Sequence, residues 1–409
     1  MTNTLDAGKL TGRVAALVEA AKRAGADAAD AVAVRGRSAG VSVRLGKVEG
    51  TESSESEDVS LRVFVGQRVA SVSATAASDP KALAERAVAM ARVSPEDPFQ
   101  GLADPALLAR NLRDLDLFDP TEVSADQLKE AALAAEAAAL AVKGVTAGQG
   151  TAMERDYEFS SRQHFADLDA PEEIGRKAGE RAVRRLGARK AATGPVDVVF
   201  DPRVARGIAG HLAGAINGAA VARKTSFLRD MMGKQVTSSA ITVTDEPLRR
   251  RGQASRPFDG EGVEGDKLLM VDRGVLNHWF LSTSAARELG LVTNGRGSRS
   301  GSSVSPSSTN LAIEPGDRAP EELIASLQRG FYVTEVFGQG VDMVTGEYSR
   351  GASGFWIENG ALAYPVAEVT IASNLKAMFL NMVPASDLDR NFGTAAPTLL
   401  IEGMTLAGA

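Results

Sequence analysis

The sequence predicts an α+β protein in which an N-terminal and a central unit of helices and strands precede a strand-rich C-terminal domain. Two observations lead to this fold class. Apolar residues recur with helical spacing in some segments and alternate with polar residues in others, and the two kinds of segment are grouped. The chain also has 409 residues, more than a single hydrophobic core normally supports. We therefore expect three packed units instead of one doubly wound sheet.

The first unit, predicted over residues 1–115, begins with a helix. Residues 9–24 have apolar side chains on one helical face, and Gly25 can end that helix in a left-handed cap. Three runs then alternate apolar and polar residues, as half-buried antiparallel strands do: Val32–Val34, Val41–Leu45 and Val59–Val65. The acidic, serine-rich link 49–58 is expected to be a long turn. Asp79-Pro80 opens a second helix, with an N-cap followed by proline.

The central and C-terminal units follow a proline-containing linker at residues 94–120. The central unit, residues 116–232, contains a capping box at Ser124–Gln127 that leads into an alanine-rich helix. The C-terminal unit, residues 233–409, is rich in strands and glycine. Within it, the Gly/Ser-rich run Gly295–Asn310 is expected to be a mobile loop.

The composition excludes several classes of protein. A net charge of −6, from 46 Lys plus Arg against 52 Asp plus Glu, predicts neither a nucleic-acid partner nor an anionic membrane partner. The absence of cysteine excludes disulfides, a thiolate nucleophile and a cysteine-ligated zinc. Residues 1–6 lack the features of a signal peptide, and no run approaches the ~20 apolar residues of a membrane span. We therefore expect a cytoplasmic protein.

Histidine is too sparse for a self-contained catalytic zinc site. The chain has only His164, His211 and His278, and no two of them are within helical reach of one another. His211 follows the helix start Asp201-Pro202 and borders an apolar stripe formed by Val204, Ile208, Leu212 and Ala215. From this pattern alone, His211 is a core histidine hydrogen-bonded to a neighbour or a residue of a functional site.

The segment around His211 resembles a known zinc-binding helix. Residues 210–218 look like the helix that contains His-Glu-x-x-x-His in the TldD branch of the TldD/PmbA family, once called modulators of DNA gyrase. In that branch the histidines bind zinc, the glutamate acts as base and a C-terminal cysteine is a further ligand. Here His211 matches, but Leu212 and Ile216 replace the glutamate and the second histidine. The resemblance implies no catalytic residue and no metal site in this chain.

Further segments resemble the PmbA branch, also called TldE, in order along nearly the whole chain. They are Ser42–Glu49, Leu61–Val63, Phe258–Gly262, Thr293–Gly295, Thr345–Gly354 and Leu406–Gly408. The resemblance implies a three-part subunit that binds no cofactor itself and pairs with a TldD-type chain, in which the zinc is expected. The implied complex acts on unfolded peptides, and a homodimer is an open alternative when the partner is absent.

A glycine-rich run near the C-terminus is the predicted substrate-binding segment. Its candidate residues are Gly346, Tyr348, Ser349, Gly351 and Gly354. Glycines within strand sequence permit bulges or the close approach of another backbone. We expect either a strand edge that pairs with an extended peptide or a set of tight turns.

Two other functions remain open at this point. The chain could be a regulatory protein that binds a target without proteolysis. It could also be an independent peptidase that uses acidic residues together with His211. No phosphate loop, dinucleotide loop or nucleophile elbow occurs in the sequence.

Overall fold

The computed structural model describes residues 7–146, 154–301 and 303–409 and confirms the predicted α+β fold class. The helices, in chain order, are α1 (Ala7–Arg23), α2 (Pro80–Val93), α3 (Ala125–Ala141), α4 (Pro171–Arg184), α5 (Pro202–Ala215), α6 (Gly218–Ala222), α7 (Thr283–Glu288), α8 (Pro320–Ala325) and α9 (Leu375–Leu380), with short 3₁₀ turns at Pro105–Leu107 and Phe165–Asp167. Within the described residues, no helix combines the length and the apolar character needed to cross a lipid bilayer.

The strands form several sheets. In chain order they are β1 (Ala28–Arg44), β2 (Lys47–Val65), β3 (Arg68–Thr75), β4 (Gly194–Phe200), β5 (Val243–Asp245), β6 (Leu268–Asp272), β7 (Val275–Leu276), β8 (Gly297–Ser300), β9 (Ser303–Pro306), β10 (Leu311–Ile313), β11 (Arg329–Phe337), β12 (Glu347–Glu358), β13 (Ala361–Asn374), β14 (Met382–Pro384), β15 (Thr394–Ala395) and β16 (Leu399–Ala407). The sheet orders are β1-β2-β3, β15-β10-β5-β6-β7, β13-β12-β11-β4-β16-β14 and β8-β9.

The N-terminal unit is the sheet β1-β2-β3 covered by α1 and α2. Leu17 of α1, Leu61 and Val63 of β2, and Ala84 and Ala87 of α2 are among its buried core residues. The helix α2 begins as predicted, because the Asp79 carboxylate accepts hydrogen bonds from the backbone N–H groups of its first turn. This core is separate from the one formed by the C-terminal strands.

The outer part of the β1–β2 hairpin, residues 35–57, is a mostly exposed ribbon. The prediction of a long turn at residues 49–58 is wrong, because β2 runs without interruption through this segment and pairs with β1. At the tip of the ribbon, the backbone N–H groups of Leu45 and Gly46 donate to the two carboxylate oxygens of Glu136 at 2.6 and 2.7 Å. Through Glu136, the helix α3 therefore provides the hydrogen-bond acceptors for these two N–H groups of the turn.

The helices α3 and α4 approach each other through small residues. A Cβ added to Gly175 of α4 would collide with the backbone carbonyl of Ala135 in α3. The backbones of α3 and α4 therefore lie closer together at Gly175 than a side chain there would allow. The structure describes all residues of α3, and each of them nevertheless remains at least partly exposed to solvent.

The C-terminal unit is built on a sheet that closes on itself. β13 pairs with β12 and also with β16, so that β13, β12, β11, β4 and β16 form a barrel. Within it, β4 and β11 are parallel and the other pairs antiparallel. Closure leaves fewer unpaired strand edges than an open sheet of the same size. The domain boundaries predicted after residues 115 and 232 remain predictions. β4 lies before residue 233 in the sequence but belongs to this sheet.

The Gly/Ser-rich run Gly295–Asn310 contains regular structure. The described residues of this run include the hairpin β8–β9, which the prediction of a mobile loop did not anticipate. Contacts from elsewhere in the chain hold it. The Gly297 N–H donates to the Asp259 carboxylate at 2.8 Å, and Arg299 donates to Asp30 of β1 at 2.8 Å.

Candidate functional site

The helix α5 places His211 at the edge of the main core. Asp201 caps the helix by accepting from the Arg203 N–H, and Pro202 occupies its first turn. Val204, Ile208, Leu212 and Ala215 form the buried face, and burial of each larger apolar side chain contributes roughly 1.5–3 kcal/mol. His211 lies beside this face and is only partly buried. Its ring therefore faces a cavity instead of the packed interior.

The opposite wall of the cavity comes from the start of β12. Tyr348 and Arg350 lie two residues apart, and alternate strand residues share a face. The ring of Tyr348, which is 2% exposed, meets His211 edge-on, with ring centroids 6.0 Å apart and planes at 74°. This geometry is a favourable arrangement for aromatic rings.

The cavity has a volume of about 300 Å³ and a lining of both polar and apolar side chains. Besides His211, Tyr348 and Arg350, its polar walls include Tyr157, Arg203 and Glu335. A volume of this size is at the lower end of the range for small-molecule sites and suits one amino-acid residue.

Most of the charges in the lining are already paired within the protein. Arg203 donates to Asp156 at 2.8 Å and to Asp201 at 3.2 Å. The Glu335 carboxylate accepts from Arg185 at 2.6 Å. Arg350 differs, because its Nε donates to the backbone carbonyl of Phe337 at 3.2 Å and its guanidinium has no carboxylate partner among the described residues. Arg350 is thus the uncompensated cation of the cavity.

Burial keeps Tyr348 neutral, and burial together with the positive charge of Arg350 keeps His211 neutral. The pKa of His211 is lowered, first by burial and then by the positive charge of Arg350. Burial raises the pKa of Tyr348 to about 12, and Arg350 opposes that rise. At pH 7, therefore, the imidazole and the phenol are both uncharged groups that can donate hydrogen bonds.

The interpretation of His211 as a hydrogen-bonded core histidine is wrong. Its ring makes no hydrogen bond to the described part of the chain, and its close neighbour is the ring of Tyr348. The other two histidines lie away from the cavity lining. His164 donates from Nε2 to the Asp116 carbonyl at 3.0 Å, and His278 is partly buried in the C-terminal unit.

The predicted substrate-binding residues occupy three different settings. Gly346 lies in a turn, with φ of +88° and its N–H donating to the Asp342 carbonyl at 2.8 Å. Tyr348 is in the cavity wall. Ser349 is exposed, and its N–H donates to the Gly340 carbonyl at 2.6 Å. The expectation of tight turns thus applies at Gly346 alone among these residues.

The prediction of a free strand edge at Gly351 and Gly354 is wrong. Both residues pair with β11 on one side and β13 on the other, so an added peptide has no open backbone there. A Cβ at Gly351 would collide with the Phe337 ring, and one at Gly354 with the Tyr332 carbonyl. These glycines permit close packing next to register shifts in the sheet. Whether any of the five candidate residues contacts substrate remains a prediction.

Several residues of the cavity were not predicted from the sequence. Tyr157, Arg203 and Glu335 come from an irregular segment, a helix start and a bulged strand, and nothing in their local sequence indicates a shared site. The position of Arg350 could have been predicted from the sequence. It is two residues after Tyr348 in a predicted strand segment, and alternate residues of a strand lie on the same face.

The chain matches the family models for the PmbA/TldA metallopeptidase C-terminal domain over residues 193–408 and for PmbA/TldA metallopeptidase domain 1 over residues 29–91. It belongs to the TldD/PmbA family of metalloprotease-like proteins.

Individual relatives resemble the chain over most of its length. The protein named Metalloprotease PmbA from Escherichia coli O157:H7 is 36% identical, over 90% of this chain and 89% of the relative. The Metalloprotease PmbA homolog of Haemophilus influenzae is 34% identical, over 96% and 94%. A crystal structure of a proposed modulator of DNA gyrase from Bacteroides thetaiotaomicron has a TM-score of 0.89 and 26% identity, covering 98% of this chain and 99% of its own.

The family name implies a metal, but the residues at His211 do not fit a zinc ion. Leu212 and Ile216, which stand where the TldD-type helix has its glutamate and second histidine, are 1% and 0% exposed and pack in the apolar core. Among the described residues, no group of three or more His, Asp or Glu side chains could hold a metal. Within the part of the chain that the structure describes, His211 is therefore without the further protein donors that a catalytic zinc requires.

Proposed function

We propose that this chain is the subunit without a zinc site in a TldD/PmbA-type metallopeptidase complex. In this proposal it pairs with a TldD-type chain that holds the zinc, and the complex cleaves unfolded peptides in the cytoplasm. The observation that supports it most is the isolation of His211 on α5, where the adjacent family positions are apolar and buried.

The core position of Leu212 and Ile216 supports the proposed lack of a zinc site in this chain. A glutamate at residue 212 would place its carboxylate among apolar side chains of the main core. An uncompensated buried charge costs several kcal/mol. The α5 helix is thus built for packing at the positions where a zinc peptidase needs its base and its second ligand.

Family membership supports the peptide part of the proposal. The relatives are named metalloproteases, and a family that cleaves peptides needs surfaces that hold them. Tyr348, a predicted substrate-binding residue, lines a cavity of suitable size for one residue. Gly351 and Gly354 would then act indirectly, by letting the strands that form the cavity wall pack closely.

The proposal is tested by measuring zinc content and hydrolysis of a fluorescent unfolded peptide. The chain is measured alone, then after addition of a TldD-type partner, with the partner alone as control. We expect a metal-free and inactive chain that becomes part of an active, zinc-containing complex.

Three results would contradict the proposal. Stoichiometric zinc and chelator-sensitive cleavage by the chain alone would show that His211 has further ligands. Cleavage by the chain alone that chelators do not inhibit would identify an independent peptidase. Stable association with a different target, without any proteolysis when the TldD-type chain is present, would indicate a regulatory binding protein.

A further inference from the structure

Two polar side chains in the His211 cavity make no hydrogen bond to any residue that the structure describes. Tyr348 is 2% exposed, yet its hydroxyl makes no hydrogen bond to the described residues, and the same holds for the ring of His211. Buried polar groups in folded proteins are nearly always hydrogen-bonded, to protein or to ordered water. Since both residues line the cavity, their available partner is water or a ligand in the cavity.

The charge balance of the lining indicates the charge of such a ligand. Arg203 pairs with Asp156 and Asp201. Glu335 pairs with Arg185, which Glu154 and Asp156 also approach, at 3.6 and 3.5 Å. Arg350 remains, with one hydrogen bond to a backbone carbonyl and no ion pair to the described part of the chain. An arginine without an ion pair, beside two neutral hydrogen-bond donors, is a favourable setting for an anionic group of a ligand.

We infer that the His211 cavity binds a carboxylate, held by the guanidinium of Arg350, the hydroxyl of Tyr348 and the imidazole N–H of His211. Planar guanidinium groups are well matched to carboxylates. Glu335 in the same wall disfavours a multiply charged anion such as phosphate. The carboxylate can come from the C-terminus of a peptide or from an acidic side chain.

This site does not depend on zinc or on a partner subunit. Only the identity of its natural ligand rests on the proposed function. If the complex cleaves unfolded peptides, such a peptide would be anchored in this subunit through one of its carboxylates. Binding can be measured on the isolated chain, so failure of the carboxylate site and failure of the partner proposal give different results.

The test is calorimetric titration of the chain with three acetylated tripeptides at low ionic strength. One is Ac-Ala-Ala-Leu with a free C-terminal carboxylate, the second is its C-terminal amide, and the third is Ac-Ala-Asp-Ala with an amide C-terminus. Binding of the free acid but not of its amide is expected. Binding of the third peptide as well would assign the site to carboxylates in general, and its failure to bind would assign the site to peptide C-termini.

Two substitutions test the residues, each with a matched control. Tyr348→Phe removes only the hydroxyl, and Arg350→Gln removes the charge. Each should weaken binding of the free acid at least about tenfold, because a hydrogen bond to a charged group is lost. Tyr364→Phe and Arg329→Gln, at positions outside the cavity lining, should leave the affinity unchanged.

Equal affinity for the acid and its amide, or no heat of binding with any peptide, would overturn the inference. So would wild-type affinity in Arg350→Gln. Because Arg350 is partly exposed, that variant remains informative even if Tyr348→Phe fails to fold, which thermal unfolding of both variants would reveal.

Discussion

The barrel and the ribbon at residues 35–57 both depend on antiparallel pairing, but they bury their residues very differently. In β12 every residue from Ala352 to Ile357 is buried, whereas in β1 every residue from Arg35 to Gly40 is exposed. The barrel strands pack on a large apolar core. The ribbon instead has cross-strand polar pairs, such as Arg37 with Glu55.

This difference shows that strand pairing alone does not determine how much a region resists change. Exposed ion pairs contribute little to stability, about 0–1 kcal/mol each. In a closely packed core, by contrast, any added atom displaces its neighbours. We therefore expect substitutions of similar geometry to have large effects in the barrel and small ones near the ribbon.

The largest effect is expected for Gly354→Ala in the barrel. Its new Cβ would meet the Tyr332 carbonyl, and β12 cannot move aside because it is paired on both sides. We expect a loss of about 4 kcal/mol in the free energy of unfolding, measured by urea denaturation. The control is Gly210→Ala, at an exposed helical position with open space, which should stabilise by about 1 kcal/mol. Similar midpoints for the two variants would refute the account of the barrel.

A matched collision beside the ribbon should be milder. Gly175→Ala places a Cβ against the Ala135 carbonyl, but α3 retains exposure along its whole length and can shift outward. We expect a loss of about 1–2 kcal/mol. The same urea experiment compares it with Gly354→Ala, and a loss as large as in the barrel variant would remove the distinction between the two regions.

A smaller effect is expected at the tip of the ribbon. Glu136→Gln replaces a carboxylate that accepts two backbone N–H groups with an amide that has only one oxygen. The global stability should fall by only about 0.5–1 kcal/mol. Amide hydrogen exchange of Leu45 and Gly46 should accelerate, while exchange in β12 stays unchanged. Unaltered exchange at the tip would mean that α3 does not hold the turn.

The smallest effect is a change in pH dependence. Because the pKa of folded His211 is below its ordinary value of 6.5, the unfolded chain takes up the proton first as the pH falls. The contribution to stability is therefore complete above about pH 6.5 and is lost below it. In His211→Gln the decline in urea midpoint between pH 6.5 and 5 should be shallower. His278, whose pKa burial and Arg296 also lower, would maintain part of the slope. An identical slope in the variant would contradict a depressed pKa.

The sequence predicted the elements that are specified by neighbouring residues. Asp79-Pro80 and Asp201-Pro202 begin helices because the cap and the fixed proline φ act within one turn. The buried face of α5 could be predicted because its apolar residues recur with helical spacing. Such local chemistry was also sufficient for the α+β class.

The elements that depend on distant partners were missed. Residues 49–58 lack apolar alternation because neither face of the ribbon is buried, so their strand conformation follows from pairing with β1. The hairpin β8–β9 is held by Asp259 and Asp30, which no local pattern connects to it. The periodicity of apolar residues indicates which face of an element is buried, so it does not predict a strand that is exposed on both faces.

The candidate site was predicted only in part for the same reason. His211 and Tyr348 were singled out, but their contact depends on how α5 packs against the barrel. Arg203 and Glu335 join the site through tertiary structure. The assumption of an open strand edge failed because β12 is paired on both sides, with β11 and with β13.

The most direct test of the central claim is the zinc content of the complex after His211→Ala, measured by mass spectrometry. The substitution is made in this chain, which is then assembled with an unaltered TldD-type partner. If the zinc belongs to the partner, the variant complex should retain about one zinc ion per complex, as the unaltered complex does. Loss of zinc from the variant complex would show that His211 is a metal ligand and would contradict the account.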